Sequence, residues 1–210
     1  VSDSVIKQIS NWKGSASINL ETGEKISVLD LIYSMMLVSA NDSLFALAEF
    51  ICGSLDKFAV MMQEKAKSIG AADTTVTTAD GRFTAEQYSN AYDLAIICRY
   101  CMTNRMFRTI AATDKYTIPA TNKNGSRDLQ NTNLLINSGN RRYRYETAIG
   151  IKSGYTARSK SCLACSALPP ANKFGEEVLA IILGAENTKQ MKYVFYDAIT
   201  LLCAKIGSAS

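Results

Sequence analysis

Along the first half of the chain, apolar positions recur at helical spacing between polar breaks. Ser27-Val28-Leu29-Asp30 forms a capping box, with Ser at the N-cap and Asp three residues on. Behind it Val28, Leu31, Ile32, Met35 and Met36 share one helix face, so this helix is predicted to pack into a core. It stops at the corner Val38-Ser39-Ala40-Asn41-Asp42. A second helix is predicted from Leu44 to Ile51, closed by Gly53. Ser54 caps a third, whose stripe Leu55, Phe58, Met61, Met62, Lys65 and Ile69 runs to Gly70. Asn90 opens a further capped helix, with Leu94, Ile97, Cys98 and Cys101 on neighbouring turns. The first 20 residues read as extended or irregular, anchored by Val5, Ile6, Ile9 and Trp12.

Beyond that the period shortens. Residues 74–78 alternate like a strand before the Asp80-Gly81 turn. Tyr116-Thr117-Ile118 and Asp128-Leu129 flank Asn124-Gly125, a hairpin signal. Ala148 to Tyr155, Cys162 to Leu168 and Val178 to Leu183 read as three strands, one link passing through Pro169-Pro170. Short links favour an antiparallel meander. A last helix, Lys189 to Ala204, presents Val194, Ala198, Leu201 and Leu202 to one sheet face. The predicted class is α/β in the α+β sense: a helical part over about 27–112, then sheet and terminal helix over about 146–206.

Composition narrows the chemistry. The 210 residues suit one domain, and 47% hydrophobic with 20% charged residues is a globular balance. Histidine is absent, which excludes a Ser-His-Asp triad, a Cys-His dyad and imidazole metal ligands. Hydrolysis would have to run on Ser, Lys, Asp, Glu, Tyr or Cys. Twenty-three basic against 19 acidic side chains leave +4, too little to imply nucleic acid. The densest basic cluster, Arg141, Arg142 and Arg144 around Tyr143 and Tyr145, reads as a solvated loop. No apolar run approaches the roughly 18 residues of a membrane span. The start, Val1-Ser2-Asp3, suggests a trimmed or partial chain.

Two C-x-x-C pairs, Cys98/Cys101 and Cys162/Cys165, mimic a four-cysteine zinc site. On a strand, residues three apart point to opposite faces, which separates Cys162 from Cys165. Cys98 and Cys101 continue a hydrophobic stripe instead. All four, with Cys52 and Cys203, read as small buried hydrophobes, and neither metal nor cofactor is expected.

A second constellation suits a chain without histidine. Ser39-Ala40-Asn41 sits at a helix-to-helix corner, and Lys152-Ser153-Gly154 lies on a strand roughly a hundred residues later. S-x-N followed by K-[ST]-G is two thirds of a signature in which a lysine activates a nucleophilic serine. The glycine lets a substrate backbone approach the strand closely.

Around these motifs the chain resembles the D-alanyl-D-alanine carboxypeptidases, the low-molecular-mass penicillin-binding proteins. The resemblance is carried by residues 23–28 and 31–33, Leu37 to Asp42, 64–67, and Tyr88-Ser89 with 91–94. It continues through Asn131-Thr132-Asn133, Gly150 to Thr156, and Cys162 to Ala164 with Ser166-Ala167. It implies a penicillin-binding protein or serine β-lactamase-like fold, and an acyl-enzyme mechanism on peptidoglycan stem peptides ending in D-Ala-D-Ala. It also implies binding of β-lactams and a place outside the cytoplasmic membrane. Ser39 would relay a proton to the leaving D-alanine, and Asn41 would hydrogen-bond the substrate peptide. Lys152 would supply positive charge, Ser153 would bind the terminal carboxylate, and the Tyr155 backbone N–H would give half an oxyanion hole.

The family's S-x-x-K motif normally lies about 60 residues before the S-x-N serine, and 38 residues precede Ser39. Ser4-Val5-Ile6-Lys7 matches the letters in a stretch read as extended, and Ser54-Leu55-Asp56-Lys57 matches inside a capped helix after Ser39. Both read as coincidences. Residues 1–210 are therefore expected to be a partial catalytic domain without its opening strands and nucleophile helix, inactive alone. The exposed sheet edge would invite self-association. Thr78-Ala79-Asp80-Gly81 stands where many members carry Asn-Pro-His-Gly. Two other readings remain: a non-catalytic module binding peptidoglycan or β-lactams, and a class A β-lactamase. The nearest acid upstream of Lys152 for a β-lactamase, Glu146, lies only six residues away.

Overall fold

The computed structural model describes residues 1–12, 14–169, 175–186 and 192–206. Chain contacts divide it into two compact units, neither continuous in sequence. The first contains Val1–Ser68, Thr74–Tyr88 and Lys115–Gln130; the second contains Ile69–Asp73, Ser89–Asp114 and Asn131–Ser210.

The first unit is helical with one hairpin: α1 (Asp3–Ser10), α2 (Val28–Val38), α3 (Asn41–Cys52), α4 (Leu55–Ser68), β1 (Lys115–Ile118) and β2 (Arg127–Gln130). The stretch expected to be extended contains α1. Ser2 caps it by accepting the Val5 N–H, Val5 is buried, and the Trp12 ring meets Phe45 of α3 edge-on at 6.1 Å. Eight residues were too few to establish a period. Ser27 caps α2 as expected, its Oγ accepting the Asp30 N–H at 3.0 Å, while the Asp30 carboxylate accepts from that same hydroxyl at 2.5 Å. Ser54 caps α4 through the Lys57 N–H. The predicted stripe of α4 is corrected, however. Ala59 and Ala66 are its buried residues while Met61 is exposed, so small side chains rather than the large ones form its buried face. Residues 74–78 form no strand; Thr75 makes one isolated bridge to Tyr88.

The β1–β2 hairpin pairs antiparallel as expected, Thr117 opposite Asp128. Its loop is fastened back to the beginning of the chain. The buried Glu24 carboxylate accepts from Arg127 at 2.7 Å, Thr121 at 2.8 Å and Asn124 at 3.1 Å. Burial alone would raise the Glu24 pKa, but Arg127, Thr121 and the Glu21 N–H outweigh it and hold the carboxyl below its ordinary range.

The second unit is an antiparallel sheet with helices: α5 (Ala91–Met102), α6 (Arg105–Ala111), β3 (Ala148–Thr156), β4 (Lys160–Ala167), β5 (Val178–Ala185) and α7 (Tyr193–Ile206). Strand order is β3-β4-β5, the expected meander, with Lys152 opposite Ala164 and Cys165 opposite Ala180. Residues 170 and 189, where sequence placed part of a link and the start of the last helix, lie outside the described residues. The helix α7 lies on β4 and β5, burying Val194, Phe195, Ala198, Leu202 and Ile206. Leu201, expected on that face, is exposed. Tyr143 and Tyr145 belong to this core rather than to a solvated loop, and Arg142 lies over the Tyr143 ring. Those aromatic rings are therefore spoken for by packing.

Candidate active site

Ser39 and Asn41 belong to the first unit. Ser39 ends α2 in the left-handed conformation, φ 58°. The helix α3 begins at Asn41, three residues before its expected start, so Asn41 stands in its first turn. What holds this corner is Asp42, which sequence reading did not single out. Its fully buried carboxylate accepts from Ser17 Oγ at 2.6 Å, Ile18 N at 3.2 Å, Leu20 N at 3.0 Å and Ser43 N at 2.9 Å. The Asn41 N–H donates to Ala16 O at 2.8 Å. Ser34 Oγ reaches Ser43 Oγ at 2.7 Å, linking α2 to α3. The available signal was an acid just before the apolar run of α3, a mark of a helix first turn.

Lys152, Ser153, Gly154 and Tyr155 belong to the second unit and lie in succession on β3, an edge strand of its sheet. Period-2 alternation sends Lys152 to one face and Ser153 to the other. A Cβ placed on Gly154 would meet no atom within 4 Å, so the strand surface is open there. Tyr155 is 70% exposed. Lys152 is half-buried and donates from Nζ to Ser153 O at 2.7 Å. Burial pushes its amine down to about 8, where an amine exchanges protons readily near neutral pH.

That shift has a measurable sign. The folded pKa lies below the ordinary 10.5, so the fold gains stability as pH rises from about 8 to 10.5. Below that window it holds a charge against burial. Lys152→Met is accordingly expected to raise stability at pH 7 by about 1–3 kcal/mol. The advantage should shrink above pH 10, and thermal melts at both pH values would measure it.

Other candidates fall away on burial. Ser4 and Lys7 are exposed on α1, and Ser4 Oγ accepts from Gln8 Nε2 at 3.0 Å. Glu146 is exposed. Cys98 and Cys165 thiols are pushed up to about 12 by burial, and Cys101 is raised likewise. Thiols held protonated in this way are poor metal ligands.

One unit holds an edge strand bearing Lys-Ser-Gly in an antiparallel sheet with helices, the other a helical corner bearing Ser-x-Asn; the fold is of the penicillin-binding DD-peptidase class. Solved structures agree. A variant of the DD-transpeptidase from a Streptomyces strain superimposes with a TM-score of 0.82 at 25% identity, over 96% of this chain and 76% of that one. The chain belongs to the D-alanyl-D-alanine carboxypeptidase family, whose profile matches residues 1–187. Among curated relatives, DacF of Bacillus subtilis is 33% identical over 178 residues, covering 84% of this chain and 43% of its own length. A D-alanyl-D-alanine carboxypeptidase of Streptomyces is 31% identical over 195 residues, or 84% of this chain and 64% of that protein. The chain thus spans less than two thirds of these relatives.

Proposed function

We propose that this chain is part of a serine-type D-Ala-D-Ala carboxypeptidase acting on peptidoglycan stem peptides outside the cytoplasmic membrane. The observation that carries the reading is the family match across residues 1–187, which includes both the Ser39-Ala40-Asn41 corner and the Lys152-Ser153-Gly154 edge strand. In this reading Ser39 passes a proton toward the leaving D-alanine and Asn41 holds the substrate amide. Lys152, with its lowered pKa, completes the proton relay. Ser153 binds the terminal carboxylate, Gly154 leaves room for the peptide, and the Tyr155 N–H stabilises the oxyanion. β-Lactams, whose carboxylate and strained amide imitate that peptide end, are ligands of the same groups.

Residues 1–210 are expected to bind such ligands reversibly and to form no acyl-enzyme alone. Incubation with a fluorescent penicillin, followed by intact mass and peptide mapping, tests this. Reversible saturation without added mass supports the reading, whereas a covalent adduct on Ser4, Ser39 or Ser54 overturns the assignment of roles. Sedimentation of the same sample reports self-association, for which the apolar edge strand β5 is the proposed surface.

A further inference from the structure

One face of α5 carries Tyr92, Ala95, Ile96, Arg99 and Met102 at helical spacing. The helix packs on β5, where successive residues go to opposite sides of the sheet: Ala180 enters the core under α7, and Leu179 is turned to α5. Ala95 offers only a methyl between the long side chains of Tyr92 and Arg99, and a cavity of about 460 Å³ opens there. Ala95, Ile96 and Leu179 wall it over the buried Met102, and Tyr92 is 75% exposed at its rim. That volume falls within the roughly 300–1,000 Å³ of small-molecule pockets. Every lining residue belongs to the second unit. The strand β5 is the sheet edge opposite β3, two strands or roughly 10 Å away. The cavity is therefore separate from the Lys152-Ser153-Gly154 strand.

Three charged groups also line it: Arg99, Arg108 and Glu177. Both oxygens of Glu177 are engaged, Oε2 accepting from Arg108 Nη1 at 2.7 Å and Oε1 accepting from Ser166 Oγ. Arg99 is exposed and enters no ion pair among the described residues. Two guanidinium groups thus share one carboxylate, and the charge left over is positive. Apolar walls beside an unneutralised guanidinium complement a molecule that is apolar along its body and anionic at one end. A planar carboxylate matches the guanidinium fork. We infer that this cavity is a second ligand site, taking a monocarboxylate with an apolar body. The body displaces water from Ile96, Met102 and Leu179, and the carboxylate accepts from Arg99.

Titration of residues 1–210 with octanoate and with octan-1-ol, followed by NMR, tests this. Octanoate should saturate with shifts at the Ala95, Ile96, Met102 and Leu179 methyl groups, and octanol should bind about tenfold more weakly. Arg99→Gln should lower octanoate affinity about tenfold, the loss of one hydrogen bond between charged groups, and leave octanol unchanged. Ala95→Leu, which fills the space, should abolish binding of both. Should that variant fail to fold, Arg99→Gln carries the test alone. Equal affinity for octanoate and octanol, or full octanoate affinity in Arg99→Gln, overturns the assignment of an anionic ligand. Absence of binding, shifts confined to other residues, or displacement of octanoate by excess penicillin overturns the site itself. None of these outcomes bears on the carboxypeptidase reading, which the penicillin experiment above decides.

Discussion

Asp42→Ala is expected to cost about 4 kcal/mol of stability, a large part of what a domain of this size has. The carboxylate lies completely buried, and its removal strands the buried Ile18, Leu20 and Ser43 N–H groups, while the exposed Ser17 hydroxyl can turn to water. Each buried donor left without a partner costs about 1–3 kcal/mol. Water entering the vacated space and the relief of a buried charge offset part of the sum. Asp42→Asn keeps the shape but turns an NH2 toward donors, so it should lose about 2 kcal/mol or more. Urea denaturation of the two variants gives the magnitudes. Amide exchange at Ile18 and Leu20 should accelerate ahead of the rest, because those N–H groups lose their acceptor. A loss below about 1 kcal/mol for alanine would show that the 16–20 segment holds the Ser39–Asn41 corner by other means.

Gly150→Ala should be nearly as damaging, and Gly154→Ala nearly silent. Gly150 has φ +114°, a region that side-chain-bearing residues rarely enter. A Cβ there would lie 2.8 Å from Ala111 O and 3.0 Å from Ala111 C, both backbone atoms at the end of α6. Backbone strain of about 1–3 kcal/mol and overpacking of similar size give an expected loss of about 3–4 kcal/mol. At Gly154 the added methyl meets open space and ordinary φ, so the melting temperature should barely move. In the proposed carboxypeptidase reading its effect falls on ligand binding, where the methyl would narrow the approach of a peptide backbone to β3. Equal melting temperatures for the two variants would contradict this assignment.

The two glycines stand in one short run, Gly-Ile-Lys-Ser-Gly, and nothing local tells them apart. That is a fair measure of what the sequence could say. Caps and hairpins were legible because their causes are local: Ser27 with Asp30, Asn90 with Asp93, and the two short strands around the Asn124-Gly125 loop. The helix α1 escaped because eight residues hold barely two turns. The buried face of α4 escaped because it is made of alanines, which leave little mark on an apolar pattern. The candidate motifs were legible as letters, and Ser39 did prove to lie at a helix corner and Lys152 on a strand. The supports of those motifs were not. Asp42 reaches back to Ser17 across 25 positions, and Thr132 meets Ser153 across 21. Such pairings are set by the fold as a whole.

The bond between Glu24 and Arg127 spans 103 positions, and that span matters while the chain is being made. A ribosome adding about 5–20 residues per second needs roughly 5–20 seconds to travel from one partner to the other. Throughout that interval the emerging Glu24 has none of the loop donors that later surround it, since Thr121 and Asn124 arrive only just before Arg127. The helices α1 to α4 can take shape during synthesis, but the unit they belong to closes only when the hairpin leaves the exit tunnel. By then Ser89–Asp114, which belongs to the other unit, has already emerged. Birth order and spatial order are therefore interleaved, and a nascent chain stalled before residue 127 holds an acid whose cation has yet to be translated.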